Sequence, residues 1–146
     1  HAGEEGPAAY VTDALDILKV SRVDHGNHAL DDPALVARLV REKTPLTMCP
    51  LSNLRLKVIA SMEANPVKTA LDAGLLVTVN SDDPSYFGGY INANYEAVTD
   101  ALDLSITDIV TLAKNSFAAS FLPDEEKQTH IDAVERHAGK FMRSAD

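Results

Sequence analysis

Short apolar stretches alternate with longer stretches of helical periodicity along this chain. Each pair takes roughly 25–30 residues, which is the pattern of parallel β/α units. Strands are predicted at 20–25, 45–49 and 75–79. Helices are predicted to begin at Pro7, at the Asp32–Pro33 cap, at Asn65–Pro66, near Ile91, at Ser105 and at Pro123. The alternation therefore predicts a parallel sheet covered by helices.

The length of the chain limits how large this sheet can be. The chain has 146 residues, whereas a closed barrel of eight β/α units needs about 250. There is room for about half of such a barrel, and a small doubly wound sheet is the alternative. A content of 45% hydrophobic and 24% charged residues is typical of a globular domain rather than a disordered chain.

Charge and cysteine content exclude several classes of function. The net charge of −9 disfavours a general nucleic-acid binder, because phosphate contacts need clustered lysine and arginine. Cys49 is the single cysteine, so an intramolecular disulfide is excluded and a reducing compartment is indicated. No apolar run is long enough to cross a bilayer, and the first residues carry no secretion signal. We expect a cytoplasmic protein with no nucleic-acid or membrane partner.

Polar or ionisable residues follow each predicted strand, in segments 24–26, 49–53 and 80–84, and they also occupy segment 1–4. The carboxyl ends of parallel strands meet at one edge of a sheet or one mouth of a barrel, where β/α folds carry their chemistry. If a strand precedes segment 1–4, four consecutive strand ends would converge. The sequence thus predicts one site built from all four segments.

Each segment has an ordinary structural interpretation when it is taken alone. Asp82 and Asp83 before a proline suit a turn or a helix start, and Glu4 suits a helix N-terminus. Cys49 suits a buried core position. Three further histidines fit surface positions: His28, His130 and His137.

Taken together, two histidines, a glutamate and an aspartate pair at strand ends are the components of a hydrolytic metal site. Imidazole and carboxylate groups suit Zn²⁺, which lowers the pKa of a bound water toward about 7. A second histidine could then orient or deprotonate that water, and a protonated glutamate could donate to the substrate. The sequence contains no G-x-G-x-x-G, Walker A, H-E-x-x-H or G-x-S-x-G motif. Zinc deaminases of the P-C-x-x-C type are excluded because they need two cysteines.

These segments resemble the adenosine/adenine deaminase family of the metal-dependent amidohydrolases, and the resemblance runs over nearly the whole chain. Four motifs carry it in order: His1-Ala2-Gly3-Glu4, Arg22-Val23-Asp24-His25-Gly26, Cys49-Pro50-Leu51-Ser52-Asn53 and Asn80-Ser81-Asp82-Asp83-Pro84. Asp24 before the histidine, Leu54 and Leu56 after the third motif, and segment 83–90 are more similar to the adenine deaminase type than to the adenosine type.

The resemblance implies an α/β fold in which parallel (β/α) units form the C-terminal half of a TIM (β/α)8 barrel, with extra C-terminal helices. Residues 1–146 would then be a single partial domain that begins at the end of the fifth strand. The implied roles are zinc ligation by His1 and Asp82, protonation of purine N1 by Glu4, activation of the attacking water by His25, hydrogen bonding to purine N7 by Asp83, and pocket lining by Ser52 and Asn53.

The implied reaction of the parent protein is zinc-dependent hydrolytic deamination of adenine to hypoxanthine and ammonia, a step of purine salvage. Deamination of adenosine to inosine is the alternative. The family's two further zinc histidines form an H-x-H motif that this sequence lacks, so we expect one incomplete zinc site and no activity from this chain alone. An open half barrel leaves a strand edge and apolar sheet faces uncovered, so we expect pairing with the missing N-terminal half or self-association.

Two interpretations from other classes stay open. The chain could be a non-catalytic β/α interaction module that binds a partner through its open edge, and an H-x-H motif upstream of His1 would argue against this. A small flavodoxin-like domain could use Asp82 and Asp83 for Mg²⁺ or phosphoryl transfer, but it rests on fold analogy alone. It also leaves His1, Glu4 and His25 without a role.

Overall fold

The computed structural model of the protein describes residues 1–142, which form a parallel sheet covered by helices. The strands are β1 (Val23–Asp24), β2 (Leu46–Met48) and β3 (Val77–Val79). The helices are α1 (Ala8–Asp16), α2 (Pro33–Glu42), α3 (Pro50–Arg55), α4 (Val67–Asp72), α5 (Pro84–Phe87), α6 (Ile91–Leu102), α7 (Ile106–Ala118) and α8 (Asp124–Met142), with 3-10 turns at Asn27–Asp31 and Met62–Ala64. Within residues 1–142, no helix combines the length and apolar character that crossing a bilayer requires.

The strands are all parallel and lie in the order β1–β2–β3. Asp24, Thr47 and Thr78 lie side by side in one row across the sheet. Ala2 forms a parallel bridge with His25, so the start of the chain extends the sheet beside β1. Four neighbouring segments of the chain therefore run in the same direction, as the β/α alternation predicts.

Side chains cap α2 and α7 where the sequence predicts these two helices to begin. The Asp32 carboxylate accepts hydrogen bonds from the backbone N–H groups of Ala34 and Leu35, at 2.9 and 3.2 Å. Ser105 and Asp108 form a reciprocal capping box at the start of α7. Each cap satisfies amide groups that the first helical turn leaves without a partner, so both helix starts are confirmed.

The ends of the predicted strands are wrong. The sequence predicts strands at 20–25, 45–49 and 75–79, and each is shorter in the structure. His25 has a left-handed backbone with φ of +68°, which no strand can continue, so β1 ends before it. The Leu75 N–H donates to the Ala70 carbonyl at 3.1 Å, so Leu75 closes α4 instead of joining β3.

Two short helices, α3 and α5, begin within the polar segments 49–53 and 80–84 that follow predicted strands. Each begins with a proline, Pro50 and Pro84. Proline is favourable at the first helical position because its missing N–H needs no partner there. Helix α3 therefore starts two residues after β2 ends, and α5 starts five residues after β3 ends.

The two faces of the sheet differ in polarity. Val23, Leu46, Met48, Val77 and Val79 belong to the buried hydrophobic core beneath the helices. The alternate positions, which are Asp24, Thr47 and Thr78, line a cavity on the opposite face. Successive strand residues point to opposite faces, so each strand contributes to both. The expectation of an uncovered apolar face is therefore wrong, because the face that borders the cavity carries hydroxyl and carboxylate groups.

The outer edge of β3 is contacted by α7. The Leu46 N–H donates to the Leu76 carbonyl at 2.9 Å, so the next carbonyl, that of Val77, points to the far side of β3. The Asn115 side chain of α7 donates to this Val77 oxygen at 2.9 Å. Among residues 1–142 no further strand pairs with this edge. Helix α8 packs against the other side of α7.

Candidate functional site

A cavity of about 380 Å³ borders the polar face of the sheet and reaches its carboxyl edge. The start of the chain and the end of every strand contribute to its lining: His1, Asp24, His25, Thr47, Cys49, Thr78, Asn80, Ser81 and Asp82. The remaining lining residues are Arg22 at the start of β1 and Ser116, Ala119 and Ser120 around the end of α7. The structure thus brings the four polar segments of the sequence together.

His25 lies between two carboxylates at this edge. Its side chain is 2% exposed, with Nδ1 3.4 Å from Glu4 Oε1 and Nε2 4.0 Å from Asp82 Oδ2. Nδ1 makes no hydrogen bond within residues 1–142, so the contact with Glu4 is close without hydrogen-bond geometry. A buried imidazole nitrogen without a partner is costly, which is typical of a functional group rather than a packing residue.

The backbone around His25 is shaped to hold the imidazole in this place. The His25 N–H donates to the Thr47 carbonyl at 2.9 Å, and the Gly26 N–H donates to the Ala2 carbonyl at 3.0 Å. Both His25 and Gly26 have positive φ. A Cβ at Gly26 would lie 2.7 Å from the Leu46 side chain, so only glycine fits against β2 here.

The Asp82 carboxylate accepts a hydrogen bond from a buried serine. The Ser52 hydroxyl donates to Asp82 Oδ2 at 2.7 Å, and Ser52 itself is fully buried in α3. Asp82 has a left-handed backbone with φ of +55°, a conformation that aspartate tolerates better than most residues. Oδ1 makes no hydrogen bond to any residue from 1 to 142, so this oxygen is available for another ligand.

Glu4 is held by a chain of two buried amides. The Asn53 Nδ2 donates to Glu4 Oε1 at 3.3 Å, and the Asn27 Nδ2 donates to Asn53 Oδ1 at 2.9 Å. Asn53 is fully buried and Asn27 is 7% exposed. Ser52 and Asn53 are fully buried and stand behind the cavity lining, whereas the Glu4 side chain is 20% exposed beside His25, which lines the cavity.

Asp83 differs from the other predicted site residues. It is exposed and lies outside the cavity lining. Its backbone carbonyl accepts hydrogen bonds from the N–H groups of Tyr86 and Phe87 at the start of α5. The Asp83 side chain makes no hydrogen bond or ion pair within the described part of the chain. The contact of Asp83 with a substrate therefore stays a prediction.

The donor groups at the edge suit a transition metal. One ligand atom each from His25, Cys49 and Asp82 lie within 4.8 Å of one another. The His1 ring lies 5.0 Å from the His25 ring, measured between centroids. Imidazole nitrogen and carboxylate oxygen are ordinary Zn²⁺ ligands. Burial raises the pKa of the Cys49 thiol to about 12, with the nearby carboxylates adding to the effect, so Cys49 is a weaker ligand candidate than the others.

Several residues of the cavity were given no role from the sequence, although two of them, Arg22 and Asp24, lie in a motif that it singles out. Asp24 Oδ1 accepts hydrogen bonds from the Thr47 hydroxyl at 2.7 Å and from Arg22 Nε at 3.3 Å. The Arg22 guanidinium also lies 4.5 Å from the centre of the Phe121 ring. Polar residues at alternate positions of predicted strands, such as Arg22 and Asp24, were the signal that could have identified this face.

Histidine and acidic side chains at the carboxyl edge of a parallel sheet occupy the place where β/α barrels carry their active sites. Solved structures agree with a β/α-barrel fold. An adenine deaminase from Arthrobacter aurescens is 47% identical with a TM-score of 0.93, over 95% of this chain and 42% of that chain. An amidohydrolase from Burkholderia ambifaria, solved with bound Zn, is 27% identical with a TM-score of 0.89, over 100% of this chain and 42% of that one. The fold is therefore part of an amidohydrolase TIM barrel with C-terminal helices.

The chain belongs to the adenosine deaminase family, whose family model matches residues 1–137. Among curated relatives, the adenine deaminase of Sphingopyxis alaskensis is 63% identical over 138 residues, which are 94% of this chain and 40% of that protein. An adenine deaminase of Caulobacter vibrioides is 61% identical over the same shares. The chain thus spans about 40% of the length of the curated relatives it matches.

Proposed function

We propose that the whole protein containing this chain is a zinc-dependent adenine deaminase that converts adenine to hypoxanthine and ammonia. The observation that carries the proposal is the approach of Glu4 and Asp82 to the two ring nitrogens of buried His25. Glu4 as the acid, His25 as the base and Asp82 as a metal ligand would then lie close enough together to act on C6 and N1 of the purine. Curated relatives named adenine deaminase, at 57–63% identity, support the choice of adenine.

The residues present fit a zinc ion as its partial ligand set. His1 and Asp82 both line the cavity, and Ser52 occupies only one Asp82 oxygen. Zinc sites in enzymes usually use three or more protein ligands. Since this sequence has no H-x-H motif, we infer that the remaining histidines belong to a part of the protein outside this chain. When bound, zinc would supply a nucleophilic water at neutral pH by lowering its pKa toward about 7.

Glu4 would act as the general acid at N1 of the purine. Attack of water at C6 pushes electron density onto N1, and protonation there prevents charge from building on the ring. Protonated Glu4 would lose its O–H proton to N1 and be left as a carboxylate. The Asn53 amide, which donates to Glu4 Oε1, would stabilise that carboxylate.

His25 and Asp82 would contact the attacking water, and His25 would accept a proton from it. His25 Nε2 lies 4.0 Å from Asp82 Oδ2, which leaves room for a water to contact both groups. His25 would accept one water proton as the oxygen bonds to C6 and then pass it to the amino group, which leaves as ammonia when the C6–N bond breaks. The second water proton would leave the C6 oxygen as the carbonyl of hypoxanthine forms, and it would restore the protonated form of Glu4. Asp83 would hydrogen-bond N7 of the ring, a role that requires its exposed side chain to turn toward bound substrate.

Steady-state kinetics of the whole protein on adenine and adenosine, with zinc measured on the same sample, tests this function. We expect adenine to be the better substrate and activity to follow zinc content through chelation and re-addition. Asp82→Asn should remove zinc and lower kcat by at least about 10³-fold. Asp103→Asn is the matched control, because Asp103 also has a left-handed backbone but lies far from the cavity at the end of α6. No deamination by fully zinc-loaded protein would contradict the proposal.

This chain by itself would supply one half of the site. We propose that residues 1–146 form a partial domain that is inactive alone and pairs with the rest of its barrel through the outer edge of β3. Activity from the isolated chain equal to that of the whole protein would contradict this. Sedimentation of the isolated chain as a stable monomer would argue against the pairing edge.

A further inference from the structure

Asn53 is a fully buried amide that lies between Glu4 and a second amide, Asn27. We propose that Asn53 is a positioning residue that fixes which oxygen of Glu4 carries the catalytic proton, and that Asn27 sets the direction of the Asn53 amide. This inference rests on the proposed function, because it assigns a role in proton donation by Glu4.

The direction of the amide chain follows from its hydrogen bonds. In the structure Asn27 Nδ2 donates to the oxygen of Asn53 at 2.9 Å, and Asn27 Oδ1 has no partner within the described residues. With its oxygen held in this way, Asn53 must present its NH₂ group to Glu4 Oε1, at 3.3 Å. Asn27 follows β1 in a 3-10 turn and Asn53 lies in α3, so two separate strand ends orient one carboxyl group.

The consequence for Glu4 concerns its two oxygens. Oε1 accepts from Asn53 and lies 3.4 Å from His25 Nδ1, whereas Oε2 makes no hydrogen bond within the described residues. The carbonyl oxygen of a protonated carboxyl is a better acceptor than its hydroxyl oxygen, so the hydrogen bond from Asn53 to Oε1 favours the proton on Oε2. On transfer, the Oε2–H bond breaks, a bond from N1 to the same proton forms, and the new carboxylate keeps the Asn53 hydrogen bond.

A purely structural role for Asn53 predicts different measurements. Asn53 stands behind the cavity lining, so its replacement should leave adenine binding and KM nearly unchanged. A structural role would lower folding stability and active fraction without regard to Glu4. A positioning role would lower kcat per folded molecule, and only while Glu4 can carry a proton.

The test is a double-mutant cycle in the whole zinc-loaded protein. Asn53→Asp keeps the size of the side chain but replaces the NH₂ donor with an oxygen, which repels the Glu4 carboxylate or shares its proton. We expect kcat to fall about 10- to 100-fold with KM within about threefold. In the Glu4→Gln background the same change should alter kcat by less than about twofold. Asn65→Asp is the matched control, a buried asparagine whose side-chain oxygen accepts the Val67 N–H and whose Nδ2 donates to Met62 Sδ at 3.8 Å, and it should stay within about twofold of the original kcat because it has no contact with Glu4.

A second variant covers the case in which Asn53→Asp does not fold. Asn27→Asp replaces the donor to Asn53 with an acceptor, which turns the Asn53 amide so that its oxygen faces Glu4 and competes with N1 for the proton. A kcat loss of at least about fivefold supports the inference. Equal losses with and without Glu4, or unchanged kcat in both variants, would overturn it. Inactivity of the unaltered protein would overturn the proposed function itself, and an active protein with normal variants would overturn only the role of Asn53.

Discussion

The two faces of the same three strands perform different tasks. On the helix-covered face, Val23, Leu46 and Val77 are at most 2% exposed and belong to the hydrophobic core. On the cavity face, Asp24, Thr47 and Thr78 occupy the next row of the same sheet. The first face supplies burial energy, and the second supplies hydrogen-bonding groups around the site. A strand of two or three residues is long enough for both tasks because its side chains alternate.

The difference teaches where substitutions should affect stability and where they should affect chemistry. Burial of apolar side chains is the main source of folding free energy, and it depends on volume and packing. The groups beside the cavity contribute less burial, and their strands are held in place by the core on the other face. Changes on the core face should therefore act on the free energy of unfolding, and changes at the cavity edge on kcat.

The largest expected effect is at the cavity edge. Glu4→Gln in the whole protein should lower kcat for adenine by about 10²- to 10⁴-fold, because glutamine cannot donate a proton to N1. Glutamine retains an oxygen that can accept from Asn53, so the midpoint of thermal unfolding should move by only a few degrees. The measurement is steady-state kinetics beside a melting curve. A large fall in melting temperature with unchanged kcat would break the division between the two faces.

The matching change on the core face is Leu46→Ala. Leu46 is fully buried in β2, and its side chain packs against the backbone of Gly26. Truncation to alanine should leave a cavity there and lower the free energy of unfolding by about 2–5 kcal/mol. Denaturant unfolding of the whole protein measures this. Activity per folded molecule should stay within about threefold, because no cavity-edge group is removed. A loss of kcat comparable to that of Glu4→Gln would contradict the expectation.

Gly26→Ala should affect both stability and chemistry, because Gly26 packs on Leu46 of the core face and directly follows His25 of the site. An alanine Cβ would meet the Leu46 side chain at 2.7 Å, on a backbone with φ of +74°. We expect a loss of about 1–3 kcal/mol in the free energy of unfolding, together with a lower kcat as the His25 ring moves. Gly74→Ala is the control, since it has a similar φ of +82° but its Cβ would meet only Val40 at 3.9 Å. Equal effects at both glycines would show that the contact with Leu46 is unimportant.

Much of the fold could be predicted from the sequence because its signals are local. The Asp32 and Ser105 caps depend on neighbouring residues alone, and both helix starts are confirmed. The ends of the strands depend on partners far along the chain. The left-handed backbone at His25 is held by hydrogen bonds to distant parts of the chain. The His25 N–H donates to the Thr47 carbonyl and the Gly26 N–H donates to the Ala2 carbonyl, and no local sequence pattern reveals these partners.

The candidate site divides in the same way. The positions of His1, His25 and Asp82 at strand ends follow from the β/α alternation, which is visible in the sequence. The Asn27–Asn53–Glu4 chain does not, because it joins residues 26 and 49 positions apart that meet only when three segments pack. Asparagine in a polar loop has many ordinary uses, so its role needs the tertiary structure.

The smallest expected effect comes from exchanging residues between the faces. Thr47→Val on the cavity face removes the hydroxyl that donates to Asp24 at 2.7 Å. Asp24 is 39% exposed on its side chain and keeps its contact with Arg22, so solvent can replace the lost hydrogen bond. We expect a loss of about 1 kcal/mol or less in the free energy of unfolding. The reciprocal Val77→Thr places a hydroxyl in a fully buried apolar site, where the cost should be about 1–3 kcal/mol. Denaturant titration of both variants measures the two losses in the free energy of unfolding. A larger loss for Thr47→Val than for Val77→Thr would mean that the cavity face contributes more to stability than its exposure suggests.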